Sequence, residues 1–267
     1  MFNYLKLELY KAFHNRFFIM AEGVLLGIVF LHVMRYIVPA AGDILGTEYP
    51  ETSFLHWIGI ESVSSLSLCY FMIVAGVAAF PIGMLFAGEQ RRGYLTQIIT
   101  RSGRNRCFYS KILAYRLLSG IVAMIPLILD FLVASAFLPS IRPIVSTFIY
   151  PLRGDGLLTN LFYSAPTFYV FVRILFVGML VSNLSLLTIP ALRIIPNDYA
   201  ASVFPCAVFI GMHILASFIG GYEWSPLNIM YPANGNGISI WNFLIMDGAL
   251  FLVGHLGVWK EVARYEV

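Results

Sequence analysis

The chain has 267 residues, of which 59% are hydrophobic and 12% are charged, and its mean hydropathy is +0.81. Soluble domains carry about 25% charged residues, so this composition excludes an ordinary soluble domain and predicts an integral membrane protein. The net charge of +3 is too small to favour nucleic-acid binding, so we expect no nucleic-acid partner.

The first 16 residues have an amphipathic pattern. Phe2, Leu5, Leu9 and Phe13 share one helical face, and most polar residues of the segment lie on the other. A helix of this kind lies in the plane of a membrane interface rather than crossing it. The segment lacks an apolar core followed by a small-residue cleavage site, so we expect no cleaved signal peptide.

Six apolar segments follow, each long enough to cross a hydrocarbon core of about 30 Å. They lie at about 17–38, 66–87, 112–137, 168–188, 203–220 and 241–259. The polar stretches between them are too short for a separate globular core. We therefore expect residues 1–267 to form one transmembrane domain, an all-α integral membrane protein with six transmembrane helices.

Three connections contain few basic residues, namely 39–65, 138–167 and 221–240. The first has no Lys or Arg and carries four acidic residues: Asp43, Glu48, Glu51 and Glu61. The third is rich in Trp, Tyr, Pro and Gly, and it could enter the interface as a re-entrant segment. These three connections are expected to lie on the outer side.

The longest basic stretch is the segment from Gly88 to Lys111, between the second and third spans. Its cations are Arg91, Arg92, Arg101, Arg104, Arg106 and Lys111. Apolar residues recur within it at helical spacing, at Tyr94, Leu95, Ile98 and Ile99, which predicts a short amphipathic helix. Such a helix is either a docking element for a cytosolic partner or an ordinary basic loop.

The distribution of Lys and Arg predicts the orientation, because basic residues are retained on the cytoplasmic side. Twelve of the 17 basic residues fall in the N-terminal segment, the 88–111 segment, the link at Arg193 and the C-terminal tail, which includes Arg264. The outer connections hold only Arg142 and Arg153. We therefore expect a multi-pass protein of the cell (plasma) membrane with both termini in the cytoplasm.

Several charged residues fall inside the predicted spans, where an unpaired charge costs about 2.5–3.5 kcal/mol. Glu22 and Arg116 lie at similar depths and are expected to pair. The remaining four could form a second cluster near the outer side: Asp130, Arg173, Asp247 and Arg35. These groups either line a translocation path or fix the register of the helices, and the structural role is favoured.

Other side chains in the spans favour structural roles. His32, His213 and His255 have no metal-ligand spacing and are expected to form hydrogen bonds between helices. Gly120, Ala123 and Gly178 are small enough to allow close helix approach. The cysteines, Cys69, Cys107 and Cys206, have neither disulfide nor metal-ligand spacing and are interpreted as free thiols.

Familiar catalytic and nucleotide-binding motifs are missing from the sequence. It contains no GxxxxGK[ST], no HExxH and no GxSxG. We therefore expect no catalytic residue, no metal site and no cofactor in this chain.

The order of these features resembles the type-2 (exporter) family of ATP-binding-cassette permeases. An amphipathic N-terminal helix with ELYK at Glu8 to Lys11 precedes the first span. The basic segment follows the pattern E-x3-G…T-R-x2-R…K at Glu89, Gly93, Thr100, Arg101, Arg104 and Lys111. The resemblance covers essentially the whole chain, and its specificity lies in the combination of degenerate motifs.

This resemblance implies roles for two segments. Residues 1–16 would be the interfacial (elbow) helix, and the helix that starts near Gly88 would be a cytosolic coupling helix seated in a separate ABC ATPase subunit. The residues expected to dock the ATPase subunit are Glu89, Arg91, Arg92, Tyr94, Leu95 and Ile98. ATP and Mg would bind to that partner, and a second permease subunit, identical or paralogous, would complete the pathway.

The sequence therefore predicts a permease subunit that exports an amphipathic cargo, such as a peptide, a lipid-like molecule or a drug. Two alternatives stay open. One is a membrane-embedded enzyme that uses an intramembrane acid such as Asp130 or Glu22. The other is a membrane immunity or assembly factor with the same fold and no transport.

Overall fold

The computed structural model describes residues 2–42, 50–62, 64–145, 149–152, 156–235 and 237–262, except for the side chains at 2, 3, 96, 101, 102, 104 and 262. Every regular element in these ranges is helical. Six helical segments are long and apolar enough to cross a membrane, which confirms the six predicted spans. Four charged residues used above lie outside the described residues: Asp43, Glu48, Arg153 and Arg264.

The helices in chain order are α1 (Phe2–Phe13), α2 (Arg16–His32), α3 (Val38–Gly42), α4 (Ser65–Arg91), α5 (Tyr94–Ser102), α6 (Arg104–Phe137), α7 (Thr159–Ser164), α8 (Pro166–Ser185), α9 (Thr188–Ile194), α10 (Asp198–Ile219), α11 (Pro226–Met230) and α12 (Ile240–Val262). A π-helical turn at Val33–Ile37 joins α2 to α3, so the first span runs over Arg16–Gly42. Together α8 and α9 form the fourth span.

The second and third spans are longer than their apolar cores. Both α4 and α6 continue through an internal proline, Pro81 and Pro126 respectively. Helix α6 begins at Arg104, inside the predicted basic segment, because Arg and Lys are good helix formers that can extend a helix beyond the hydrocarbon region. The short helix begins at Tyr94 rather than near Gly88, since α4 itself continues to Arg91.

Helix α4 lies at the centre of the bundle and packs against α2, α6, α8 and α10. Its contact with α10 is close because glycines face that helix. A Cβ atom added at Gly76 would lie 2.7 Å from Cβ of Cys206, and one added at Gly83 would collide with Ser202. Real Cβ atoms do not approach so closely, so these positions accept only glycine at this helix separation.

The small residues noted in the third and fourth spans lie where these two spans meet. Helices α6 and α8 cross at Gly120 and Gly178, and a Cβ atom added at Gly178 would lie 2.7 Å from Sδ of Met124. Ala123 is fully buried at the same level, and its carbonyl accepts a hydrogen bond of 2.7 Å from the hydroxyl of Tyr70.

The two ends of the bundle differ. Helices α1 and α5, with the end of α4 and the start of α6, form what we call the basic end. At the other end, which we call the capped end, residues 50–62 and 226–234 fold into the bundle and bury most of their side chains. Trp57, which is 1% exposed, donates a hydrogen bond of 3.2 Å from Nε1 to the carbonyl of Leu127.

Candidate functional site

Helix α5 lies across the basic end between two glycines with left-handed backbone conformations. Gly93 has φ of 65° and Gly103 has φ of 79°. Residues with a Cβ atom rarely adopt these angles, so the two glycines allow the chain to turn sharply on each side of α5. The sequence between them is amphipathic, which decides which face of α5 packs on the bundle.

The apolar face of α5 is covered by the chain itself. Leu95 is 4% exposed and Ile98 is 8% exposed. Leu95 belongs to a buried apolar cluster contributed by α4, α6, α9 and α12, with Phe86, Phe108, Ile112, Ile189 and Val258 among its members. This packing fixes α5 to the ends of four other helices.

Four charged residues and one tyrosine join α5 to its neighbours, and we call this set the hinge network: Glu8, Lys11, Glu89, Tyr94 and Lys111. The ammonium group of Lys111 donates to Oε2 of Glu8 at 2.9 Å and also to Oε2 of Glu89. The ammonium group of Lys11 donates to Oε1 of Glu8 at 3.3 Å and to Oε1 of Glu89 at 3.1 Å. Each carboxylate therefore bridges both lysines.

Tyr94, the first residue of α5, completes the hinge network. Its hydroxyl accepts a hydrogen bond of 2.9 Å from Lys11, whose Nζ also lies 4.0 Å from the centre of the tyrosine ring. The five side chains come from α1, α4, α5 and α6. The hinge network therefore connects α5 directly to α1 and to the ends of two spans.

The hinge network is largely removed from solvent. Glu8, Lys111 and Glu89 are 2%, 4% and 7% exposed, respectively. Two positive and two negative charges balance one another, which such burial requires. Burial lowers the pKa of Lys11, but the hydrogen bond to Tyr94 and the charges of Glu89 and Glu8 outweigh this effect, so its pKa is raised above 10.5.

The polar face of α5 points away from the bundle. Gln97 and Thr100 on α5 are exposed, and so is Arg92 in the turn that precedes it. Arg91, at the end of α4, is also exposed, and its guanidinium forms an ion pair with Asp198 at the start of α10. Of the six residues expected to dock a partner, Arg91 and Arg92 are thus exposed, Tyr94 is half-buried, and the other three are buried: Glu89, Leu95 and Ile98.

The expected pair between Glu22 and Arg116 is not formed. Both carboxylate oxygens of Glu22 are buried and accept no hydrogen bond from the described residues. Arg116 instead lies over the ring of Phe251, 4.9 Å from its centre, and interacts electrostatically with Asp247. Similar depth was the only basis for the predicted pair, and depth does not fix the direction in which each helix presents its side chain.

The four charges expected to form one cluster have separate environments. Asp130 is fully buried, and its two oxygens accept hydrogen bonds of 2.8 Å from the His32 ring and the Ile58 amide. Asp247 accepts a hydrogen bond of 2.7 Å from the Asn183 amide, and Arg35 is exposed on the surface of the first span.

Arg173 is 1% exposed, and its Nη2 donates to the carbonyl of Ile229 at 2.8 Å. This bond ties α8 to α11, the short helix in the third of the predicted outer connections. Residues 226–233 are buried, so this connection packs against the bundle.

Two of the three span histidines form the expected hydrogen bonds between elements. His32 pairs with Asp130, and Nδ1 of His213 lies 2.7 Å from Oγ of Ser225. His255 instead contacts aromatic rings, with a stacked arrangement on Phe251. Among the described residues, no group of three His, Cys, Asp or Glu side chains is arranged to hold a metal ion.

A second charged group, which sequence reasoning missed, lies at the capped end. Nε2 of His56 lies 2.7 Å from Glu51, and Nδ1 lies 2.9 Å from Glu61 as a charge contact without hydrogen-bond geometry. Burial lowers the pKa of His56, but the contacts with Glu61 and Glu51 outweigh this, so the pKa is raised above 6.5. The contacts of His56 with Glu51 and Glu61 therefore link the two ends of residues 50–62.

The hinge network was also missed as a unit, although its members carry a signal. Glu8 and Lys11 are separated by one helical turn, and Glu89 and Lys111 flank the predicted short helix at its two sides. Opposite charges so close to apolar segments indicate that the charged side chains are buried as ion pairs.

Comparisons with known proteins assign neither a family nor a function to the chain. No family model, curated protein or solved structure matches the chain. The geometry of the hinge network and the pattern of the sequence therefore carry the functional argument.

Proposed function

We propose that this chain is the membrane permease subunit of an ATP-driven exporter, organised like the type-2 ATP-binding-cassette permeases it resembles. The observation that carries the proposal is the hinge network, which links α5 to α1, α4 and α6 through buried ion pairs. A short helix held in this way between two spans is suited to receive force from another polypeptide. The chain itself has no nucleotide-binding motif that could generate that force.

In this mechanism, two cytosolic ABC ATPase subunits bind ATP and Mg and close against each other. Their movement displaces α5, and the hinge network transmits the displacement to the ends of the second and third spans. The two permease subunits then rock and open a path between them. In this proposal, the protein lies in the cell membrane with the basic end and both termini on the cytoplasmic side.

The residues expected to dock the ATPase subunit have two different parts in this mechanism. The exposed cations Arg91 and Arg92, together with Gln97, form the face that the ATPase subunit contacts. Glu89, Tyr94, Leu95 and Ile98 face the chain itself and transmit the movement.

A second permease subunit and an amphipathic cargo complete the proposal. Within an 18-residue apolar stretch of each span, only 22% of the residues of α10 and 33% of those of the first span are buried. Both spans therefore have exposed apolar surface that can contact lipid or another subunit. Apolar spans with few polar groups suit a peptide, a lipid-like molecule or a drug better than a sugar or an ion.

Photo-crosslinking tests the docking face. A photoreactive amino acid at Gln97, on the exposed face of α5, should crosslink in the native host to a protein with a P-loop. The same amino acid at Glu223, which is exposed at the capped end, is the matched control and should not. Absence of an ATPase from the Gln97 adducts, or equal recovery at both positions, would contradict the proposal. A P-loop ATPase in the adjacent reading frame is the corresponding genomic expectation.

The alternative of an intramembrane enzyme named two acids, Asp130 and Glu22, and the contacts of Asp130 argue against it as the catalytic one. Both oxygens of Asp130 are engaged by His32 and Ile58, and the side chain is fully buried, which favours a structural role. A non-transporting immunity or assembly factor is separated from the exporter by measuring cargo movement in vesicles with and without ATP.

A further inference from the structure

A large cleft opens at the basic end beside the hinge network. It has a volume of about 870 Å³ and lies between the end of α1, the start of α2, the end of α4 and the start of α5. Lys11, Glu89 and Tyr94 of the hinge network form one wall, and Arg16, Phe17 and Arg92 contribute to the others.

The cleft carries uncompensated positive charge. Both carboxylates near it, Glu8 and Glu89, are already shared by Lys11 and Lys111. Arg16 and Arg92 are exposed, and neither forms an ion pair within the described part of the chain. Two guanidinium groups are therefore available to an anion at this site.

The first turn of α2 adds to this positive potential. Asn15 caps the helix, and its side chain accepts a hydrogen bond of 3.1 Å from the amide of Phe17. The amide of Phe18 donates to the carbonyl of Asn15 at 3.0 Å, so the N-terminus of α2 acts on an anion mainly through the positive end of the helix dipole, which favours a bound phosphate. Because α2 is 17 residues long, its dipole is fully developed.

The position of the cleft relative to the spans indicates the kind of anion. Arg16 is the first residue of the first span, and Glu89 lies near the end of the second, so the cleft sits at the level of lipid headgroups. Phe17 and Leu85 supply apolar wall surface below the charged rim. Ile19 and Met20, which are 68% and 57% exposed, continue this apolar surface along α2 into the bilayer region.

We propose that this cleft binds an anionic phospholipid. Its phosphate group lies between Arg16, Arg92 and the N-terminus of α2, and one acyl chain follows Ile19 and Met20. Basic pockets at the ends of transmembrane helices are suited to such headgroups. The inference does not rest on the proposed transport function. Arg92 and Gln97 belong both to the lining of the cleft and to the proposed docking face, so the bound headgroup would lie beside the ATPase subunit and would touch the hinge network.

Lipid binding by the purified full-length protein tests the inference. Phosphatidylglycerol and phosphatidylcholine with the same acyl chains are titrated into detergent micelles, and bound lipid is counted by native mass spectrometry. Each cation near a membrane surface contributes about 1 kcal/mol, so the Arg16→Gln/Arg92→Gln double variant should bind phosphatidylglycerol about 30-fold more weakly. Both residues are exposed, so the variant is expected to fold.

The matched control is the Lys6→Gln/Arg106→Gln double variant, which removes two exposed cations at the same end but outside the cleft. It should retain the preference for phosphatidylglycerol. Equal binding of both lipids, or an equal loss in both double variants, would overturn the proposal. Inorganic phosphate and glycerol 3-phosphate are tested in the same way as soluble ligands without acyl chains. If either one binds the protein at the same concentration as phosphatidylglycerol does, the cleft is a site for a soluble phosphate, and the lipid proposal is wrong.

Discussion

Lys111 and Glu89 form a buried ion pair that closes the chain around α5, although 22 positions separate them in the sequence. Lys111 is on the third span and Glu89 is on the second, so the pair joins the two spans at the point where α5 connects them. Glu8 and Lys11 extend the pair to α1. These ion pairs therefore link α1, α4 and α6 to one another at the basic end.

Replacing Lys111 with methionine should destabilise the protein by about 3–5 kcal/mol, because Glu8 and Glu89 would then share one lysine in a buried site. Unfolding in mixed micelles with increasing sodium dodecyl sulfate measures the loss. Lys6→Met is the matched control, since Lys6 is exposed on α1, and its effect should stay within about 0.5 kcal/mol. Equal effects of the two substitutions would rule out a stabilising role for the hinge network.

The ion pairs of His56 predict a dependence of stability on pH. The folded-state pKa of His56 is raised above 6.5, so its contribution is complete below pH 6.5 and is lost as the pH rises through the folded-state pKa. Wild-type protein should therefore unfold more readily at pH 9 than at pH 6. Lys11 stays protonated over this range, so it does not contribute.

The His56→Gln variant serves as the control for this measurement. It should be less stable than wild type at pH 6, and the difference should shrink at pH 9. An unchanged difference between the two pH values would show that the charge of His56 does not hold the capped end.

Asp130 is expected to hold residues 50–62 in the bundle. Its removal in Asp130→Ala leaves the Ile58 amide and His32 without their acceptor, which costs about 1–3 kcal/mol. Ser53 is fully buried nearby in sequence, so a Ser53→Cys reporter should react with a membrane-impermeant maleimide faster in the Asp130→Ala background.

Asp247→Ala is the matched background, because Asp247 is bonded to Asn183 and not to residues 50–62. It should leave the labelling of the reporter unchanged. Equal labelling in the Asp130→Ala and wild-type backgrounds would contradict the role assigned to Asp130.

The glycines between α4 and α10 give a prediction about packing. Gly83→Ala forces a methyl group against Ser202 and Thr188 and should destabilise the protein by about 1–3 kcal/mol. Gly27 on α2 has nothing within 4 Å of an added Cβ atom, so Gly27→Ala is a matched control. The unfolding assay used for Lys111 compares them, and similar stabilities would refute the close contact of α4 and α10.

Much of the fold was predictable because membrane spans are specified locally. Six apolar segments and the short amphipathic segment around Leu95 and Ile98 were identified from the sequence, as were the small residues Gly120 and Gly178, although not which helices they bring together. Helix ends were less accurate. Helix α6 begins at Arg104 because a helix can continue through polar residues after the apolar run has ended.

Pairing of charges was not predictable from depth alone. Glu22 and Arg116 lie at similar depths, yet the first and third spans do not present them to each other. The burial of residues 50–62 also escaped prediction, because the contacts that hold this segment, such as Ile58 with Asp130 and Trp57 with Leu127, come from a helix distant in the sequence.

The sequence by itself determined that this chain has six segments long and apolar enough to cross a membrane and that most of its cations lie in a few of the connecting and terminal segments, because hydropathy and charge act residue by residue. Only the tertiary structure decided which charges meet, since a partner depends on the rotation of each helix about its axis. Lys111 and Glu89 meet because α4 and α6 turn those faces toward each other across α5.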